Sequence, residues 1–242
     1  MTPADQPVVA ITEAGALGLA VTGYLVARGW RVAIYHMPWM QAHATTIRDS
    51  HGSQQVCVQA IDLGDWASVA RATDAVRSQF GCAPAAALVA FDDLHTDGPM
   101  HHGRGAGDAF ARNATLNVEA VYRVLHTLLP PMVAARHGSV VVMGSRLAER
   151  PWEGAGAAAF TAAKSATTAL VQAVAQEVLE FGVRVNTILE GIVDEPGARA
   201  CVPHADHSRW VPMHSLVAVI GFLLSDEARA ISGAAIPLYG RS

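Results

Sequence analysis

The sequence predicts an α/β protein: a doubly wound, parallel sheet of seven strands in a single domain that spans residues 1–242. Three observations lead to this fold class. Short β-branched runs alternate with longer segments rich in Ala and Leu, which is the pattern of repeated strand–helix–strand units. Glycines repeatedly separate a helical segment from the next strand. No linker or internal repeat divides the chain, so its length is that of one large domain.

The strands are predicted from short apolar runs bounded by turn residues. In chain order they are Val8–Thr12, Arg31–Tyr35, Gln55–Ile61, Ala85–Phe91, Ser139–Met143, Arg184–Leu189 and Ala234–Leu238. In doubly wound sheets the ligand crevice lies at the carboxyl ends of the strands. The loops that follow four of these strands are therefore expected around one cleft: those after Thr12, Phe91, Met143 and Leu189.

The helices are predicted from the longer runs between the strands. They are Ala16–Ala27, Ser68–Phe80, Asp108–Leu129, Ala158–Phe181 and Ser215–Leu224. A left-handed C-cap is expected at the glycine that precedes the next strand, namely at Gly29, Gly81, Gly138 and Gly182. Two polar stretches, His95–Gly107 and Asp194–Met213, are predicted as long loops of the kind that form lids or partner surfaces.

Composition narrows the class of protein. Hydrophobic residues make up 51% of the chain and charged residues 16%, which is typical of a folded globular protein. A net charge of −4 gives no basic footprint for nucleic acid. The three cysteines, Cys57, Cys82 and Cys201, are too few and too widely spaced for a disulfide framework. With no leader peptide pattern and no apolar run long enough to span a bilayer, a cytoplasmic protein without membrane contact is expected.

A metal site is not predicted. The histidine groups His101–His102 and His204–His207 fall in predicted loops rich in Gly, Asp and Pro, which favours solvated surface over ligation.

The chemistry-bearing pattern is centred on Phe160 and Lys164, which are four residues apart and therefore share one face of a predicted helix. Ser145 follows the fifth predicted strand, and Asn117 lies inside the third predicted helix. Further matches are Arg184-Val185-Asn186 and Asp62. In their order along the chain, these residues resemble the short-chain dehydrogenase/reductase family over essentially the whole chain.

The resemblance implies a Rossmann-like fold and roles for individual residues. Ser145, Lys164 and Asn117 match the family's catalytic positions, where the serine hydrogen-bonds the substrate carbonyl. Phe160 stands where the family has a tyrosine whose hydroxyl exchanges a proton with the substrate oxygen and whose pKa the lysine lowers. Because a phenyl ring has no such proton, Phe160 is expected to be non-functional in catalysis.

The first glycine-rich turn of this chain also departs from the family pattern. The family pattern Thr-Gly-x-x-x-Gly-x-Gly brings bare backbone to the cofactor pyrophosphate. Here Glu13 replaces the first glycine, and the turn is one residue shorter before Gly15 and Gly18. A carboxylate about 4 Å from a phosphate costs roughly 1 kcal/mol in water and about 4 kcal/mol near a protein surface. Glu13 has two open orientations, towards the pyrophosphate site or out to solvent. In both cases Gly15, Gly18 and Asp62 are expected to be vestiges of a cofactor site.

Other departures border the same predicted cleft. His36 lies where the family has an aspartate or basic residues that read the ribose. Asp92 and Asp93 replace small residues that line the nicotinamide side. Glu190 replaces the proline behind the nicotinamide, and Asp194 replaces the threonine that holds the carboxamide.

These departures favour a catalytically inactive subunit of a heteromeric short-chain alcohol dehydrogenase. The chain itself is expected to bind no cofactor, and NAD or NADP is expected in a homologous active subunit. The resemblance implies pairing through Asp108–Leu129 and Ala158–Phe181 in a hetero-oligomer, expected to be a tetramer. Helical apolar spacing supports this at Val118, Val121, Val124, Leu128 and Leu129, and at Ala166, Leu170, Val174 and Val178. The resemblance also implies a hydroxyacyl-CoA-type substrate in aromatic degradation.

Two alternatives stay open. One is a divergent active NAD(P)H-dependent reductase, favoured by the survival of Lys164. The other is a cofactor-free small-ligand binding module, in which Asp92, Asp93 and Glu190 favour a cationic ligand.

Overall fold

The computed structural model describes residues 6–91, 94–103 and 107–241. Its centre is a parallel sheet of seven strands in the order β3-β2-β1-β4-β5-β6-β9. The strands are β1 (Val8–Ile11), β2 (Arg31–His36), β3 (Val56–Ala60), β4 (Ala86–Val89), β5 (Gly138–Met143), β6 (Val183–Glu190) and β9 (Ala235–Leu238). Two further short strands, β7 (Val193–Asp194) and β8 (Val211–Pro212), pair with each other. The strand order reverses between β1 and β4, so the predicted doubly wound fold is confirmed.

Helices cover both faces of the sheet. They are α1 (Ala16–Val26), α2 (Gln41–His51), α3 (Ser68–Phe80), α4 (Ala109–Asn113), α5 (Ala120–Ala135), α6 (Ala158–Val178), α7 (Pro196–Cys201) and α8 (Met213–Leu224). One apolar core lies between the sheet and α3, α5 and α6. The other lies between the opposite face and α1, α2 and α8. The alternation of side chains along each buried strand supplies both cores.

The structure differs from the prediction in three places. The predicted loop Asp194–Met213 contains α7, and α2 was not predicted because its only fully buried residues are Ala44 and Ile47. The predicted helix Asp108–Leu129 is divided by a π-helical segment, Ala114–Glu119, and α5 then continues through Pro130 and Pro131. Proline disfavours a helix interior, but Met132 beyond it is buried in the core, so packing outweighs the local preference.

The predicted left-handed C-caps are found at Gly81 and Gly182. Gly29 has a positive φ, but the residue that caps α1 is Ala27, and Gly138 begins β5. The left-handed residue that ends α5 is Arg136, with φ of 52°.

Most of the apolar residues that were expected to form a partner surface are core residues of this chain. Val121, Val124 and Leu128 on α5 are at most 2% exposed, and Leu129, Val174 and Val178 are also buried. Helical apolar spacing marks a buried face, and here the face is buried against the chain's own sheet. Val118, Ala166 and Leu170 point to the other side, where they line an outward-facing groove.

Among the residues described, none of the helices combines the length and the hydropathy that a bilayer span requires.

Candidate functional site

The first turn at the carboxyl edge of the sheet joins β1 to α1. Thr12 fixes its beginning, because the Thr12 hydroxyl accepts a hydrogen bond of 2.9 Å from the Ala90 amide, just beyond β4. The turn then leads to the first amides of α1, which have no partner within the helix. In this fold those amides are the donors that meet a ligand phosphate.

The Glu13 carboxylate is turned inward onto these amides. One carboxylate oxygen accepts the Gly15 N–H and the other accepts the Gly18 N–H. Of the two orientations left open by the sequence, the structure therefore has the inward one. A Cβ at Gly18 would overlap the carbonyl oxygen of Glu13. Position 18 therefore requires glycine because the Glu13 backbone approaches it closely.

The electrostatics of Glu13 reflect competing effects. The pKa of the Glu13 carboxyl group is raised above its ordinary value, because burial outweighs the lowering by the hydrogen bonds from the Gly15 and Gly18 amides. Glu195 at the start of α7 also raises this pKa, and His43 on α2 lowers it. Residues of two other segments thus influence the charge of the Glu13 carboxyl group.

The positions that would meet the rest of a dinucleotide also have contacts within the chain. His36 is only 1% exposed, and its Nδ1 lies 3.0 Å from the Met37 carbonyl oxygen. Asp62 accepts a hydrogen bond of 2.8 Å from the Gly64 amide and so closes the turn after β3. Asp92 and Asp93 lie outside the described residues.

A second pair of acidic residues lies at the end of β6 and in β7. Glu190 ends β6 and is partly exposed. Asp194 is held by Arg199 of α7 through two hydrogen bonds, of 2.5 and 2.8 Å. The Arg199 guanidinium lowers the pKa of Asp194, so this carboxylate is part of an ion pair that joins β7 to α7.

Phe160 and Lys164 share one face of α6, as their spacing predicted, and the structure shows that this face is buried. Phe160 is 6% exposed and Lys164 is 1% exposed. The Lys164 Nζ lies 5.4 Å from the centroid of the Phe160 ring, within the range of a cation–π contact. The ring thus retains its contact with the lysine, although it carries no hydroxyl.

Lys164 also has a structural task. Its Nζ donates a hydrogen bond of 2.9 Å to the Phe91 carbonyl oxygen and one of 3.4 Å to the Met143 carbonyl oxygen. These carbonyls lie at the carboxyl ends of β4 and β5, so the ammonium group joins two neighbouring strands to α6. Lys164 is the only lysine in the sequence, beside 16 arginines. The sequence reasoning missed this count, which singles out the position.

Ser145 and Asn117 also form hydrogen bonds within the chain. The Ser145 hydroxyl accepts a hydrogen bond of 3.3 Å from the Leu147 amide and caps the short turn after β5. Asn117 lies in the π-helical segment and is 1% exposed. Its backbone carbonyl accepts a hydrogen bond of 2.5 Å from the Thr167 hydroxyl of α6, a contact that the sequence gave no reason to expect.

The sheet order, the cleft loops and the motif positions agree with the family that the sequence resembles, and a family model decides the point. The model described as enoyl-(acyl carrier protein) reductase matches residues 11–240. The chain belongs to the short-chain dehydrogenase/reductase family. In this short-chain dehydrogenase/reductase chain, the motif positions Lys164, Ser145 and Asn117 are in place, while Phe160 and Glu13 depart from the pattern.

Two curated relatives of this family member are named as enzymes. A 2,5-dichloro-2,5-cyclohexadiene-1,4-diol dehydrogenase, LinX of Sphingobium indicum, is 30% identical over 171 residues, which cover 64% of this chain and 68% of LinX. A 3-oxoacyl-[acyl-carrier-protein] reductase, MabA of Mycobacterium tuberculosis, is 25% identical over 232 residues, which cover 93% of this chain and 87% of MabA.

A solved structure shows the same fold with a nucleotide bound. It is an NADPH-bound short-chain oxidoreductase from Pseudomonas aeruginosa PAO1 with an atypical catalytic center. The TM-score is 0.82 at 21% identity, and the match covers 98% of this chain and 96% of the other. At this identity the likeness establishes the fold alone.

The described residues of the first turn do not fit a dinucleotide pyrophosphate. The Gly15 and Gly18 amides, which would donate to it, already donate to the Glu13 carboxylate. A phosphate at the same amides would be of the same sign of charge as that carboxylate. As to metals, within residues 6–91, 94–103 and 107–241 no group of three or more His, Cys, Asp or Glu side chains is arranged to hold an ion.

Proposed function

We propose that this chain is a catalytically inactive subunit of a heteromeric short-chain alcohol dehydrogenase, and that a homologous subunit carries the NAD- or NADP-dependent activity. The observation that carries the proposal is the pattern of retained motif residues. The Lys164 side chain joins two strands to α6, the Ser145 hydroxyl caps the local turn after β5, and the Asn117 backbone carbonyl accepts a hydrogen bond from Thr167 of α6. Phe160 stands where the family has a tyrosine, and the hydroxyl of that tyrosine would be needed only for catalysis.

The missing hydroxyl has a direct chemical consequence. A positioned general acid or base contributes about 10²–10⁴-fold to the rate of a proton-transfer step. The Phe160 ring offers no proton, and Lys164 is directed at backbone carbonyls. The proposal therefore gives this chain a structural task and assigns the proton transfer to the partner.

Absence of cofactor from this chain is the second part of the proposal. The Glu13 carboxylate uses the amides that the family directs at a phosphate, and His36 is buried where the ribose would be read. NAD or NADP is accordingly assigned to the partner. The hydroxyacyl-CoA-type substrate in aromatic degradation remains what the resemblance implies for that partner.

The partner surface in this proposal is an apolar groove between the π-helical segment and α6. It has a volume of about 510 Å³ and is lined mainly by Ala and other apolar residues. Its members include Phe110, Val118, Tyr122, Ala166 and Leu170. Phe110 is 67% exposed and Tyr122 is 45% exposed in the single chain. An exposed apolar patch of this kind is typical of a protein–protein contact.

The proposal places the complex in the cytosol. Cys57, Cys82 and Cys201 are all free thiols, which fits a reducing compartment.

One observation favours the alternative of a divergent active reductase. The solved oxidoreductase from Pseudomonas aeruginosa has an atypical catalytic center and holds NADPH. If this chain worked similarly, it would bind NADPH and reduce a carbonyl compound without a tyrosine at position 160.

Titration of the isolated chain with NADH and NADPH, followed by an assay on a panel of carbonyl compounds, separates the two functions. The proposal predicts no saturable heat and no NAD(P)H oxidation, because the turn's amides are engaged and Phe160 cannot transfer a proton. A motif-complete short-chain reductase serves as the positive control. Micromolar binding together with turnover would contradict the proposal and support the active reductase.

A further inference from the structure

Glu13 does more than replace a glycine, because its carboxylate has the geometry of a ligand. It presents two oxygens to the two amides Gly15 and Gly18 at the start of α1. Those are the donors with which this fold meets a phosphate group. The carboxylate carries the same sign of charge as a phosphate and satisfies the same unpaired helix donors.

We propose that the Glu13 carboxylate is a resident substitute for the cofactor phosphate, so that Glu13 is the residue that excludes a dinucleotide from this chain. The inference rests on the proposed function, since it explains how a member of a nucleotide-binding family lacks cofactor. It also extends that function, because the exclusion is assigned to one side chain rather than to the sum of the departures around the cleft.

The residues around Glu13 leave space for its side chain in the inward position and influence its charge. The glycine at position 18 leaves room for the Glu13 backbone and side chain, both of which a Cβ there would overlap. Of the neighbouring residues in other segments, His43 lowers the pKa of Glu13 and Glu195 raises it. A phosphate at the two amides would have to displace the Glu13 carboxylate and would then remain close to that group, which has the same sign of charge.

Removal of the carboxylate is therefore expected to vacate the anion site. In Glu13→Ala the Gly15 and Gly18 amides lose their acceptor, which should lower the Tm. Inorganic pyrophosphate, the probe for the vacated donors, should then raise the Tm again by binding the folded state. We expect Glu13→Ala to bind pyrophosphate at least about tenfold more tightly than the wild-type chain, because the repulsion is gone.

Thermal unfolding with and without pyrophosphate, combined with isothermal titration, tests the inference. The control is Glu227→Ala, which removes an exposed carboxylate outside the turn and should behave as wild type. Glu13→Gln keeps the size of the side chain and one acceptor oxygen but loses the charge, and we expect it to bind pyrophosphate more tightly than wild type. If Glu13→Ala cannot be purified in a folded state, Glu13→Gln is used for the comparison instead.

The outcomes for the two proposals are distinct. Equal pyrophosphate affinities in wild type and both Glu13 variants, with no rise in Tm, would overturn the inference and leave the inactive-subunit proposal standing. Micromolar NADH or NADPH binding by the wild-type chain would contradict the inactive-subunit proposal itself.

Discussion

Replacement of Lys164 by methionine is expected to lower the free energy of unfolding by about 1–3 kcal/mol, since a buried hydrogen-bond donor is lost and its acceptors remain. The acceptors are the carbonyl oxygens of Phe91 and Met143, at the ends of two neighbouring strands. For a chain of this size the loss corresponds to a fall in Tm of about 2–12 °C. Methionine has a similar length and no charge, so packing changes little. Urea unfolding and thermal unfolding of both proteins measure the effect.

The matched control is Arg71→Met, which also replaces a cation by methionine. Arg71 pairs with Asp65, but both side chains are exposed, at 64% and 42%. Exposed ion pairs contribute about 0–1 kcal/mol, so the control should unfold close to wild type. A Lys164→Met protein as stable as wild type would remove the structural explanation for the chain's only lysine. The survival of Lys164 would then favour the alternative of a divergent active reductase.

Replacement of Ala166 by arginine is expected to separate the hetero-oligomer while leaving the chain folded. Ala166 lies on the exposed side of α6 and lines the apolar groove, so a long cation there is tolerated in the free chain. In a packed interface it would bury an unpaired charge, which costs several kcal/mol. We expect the dissociation constant of the complex to rise at least about 100-fold. Sedimentation velocity of the purified complex measures the change in mass.

Ser78→Arg provides the control for this variant. Ser78 is exposed on α3 and does not line the groove, so the same added side chain should leave the complex intact. An Ala166→Arg complex with the wild-type mass would show that the groove is not the partner surface.

The sheet could be predicted from the sequence because its strands are short, almost wholly apolar runs between turn residues. All seven predicted strands overlap observed ones, and α3 has the predicted bounds. Helix α2 could not be predicted in the same way, because a polar segment buries only Ala44 and Ile47 fully. The continuation of α5 through Pro130 and Pro131 depends on core packing around Met132, which local preferences do not report.

At the candidate site, the sequence was enough to identify the residues but not to predict how their side chains are oriented. The spacing of Phe160 and Lys164 on one helical face follows from the period of the helix. The inward position of Glu13 depends on the approach of Gly18, five residues further along the chain, and so required the folded backbone. Apolar spacing at Val121 and Val124 predicted a buried face but did not distinguish the chain's own core from a partner.

The most direct test of the central claim is the subunit composition of the native assembly. The chain, carrying an affinity tag at its natural level of expression, is purified from its own cells and examined by native mass spectrometry and an NAD(P)H assay. The account predicts a complex with a second short-chain dehydrogenase chain that has tyrosine where this chain has Phe160, and it predicts that turnover requires that second chain. An assembly made only of copies of this chain, and active with NADH or NADPH, would contradict it.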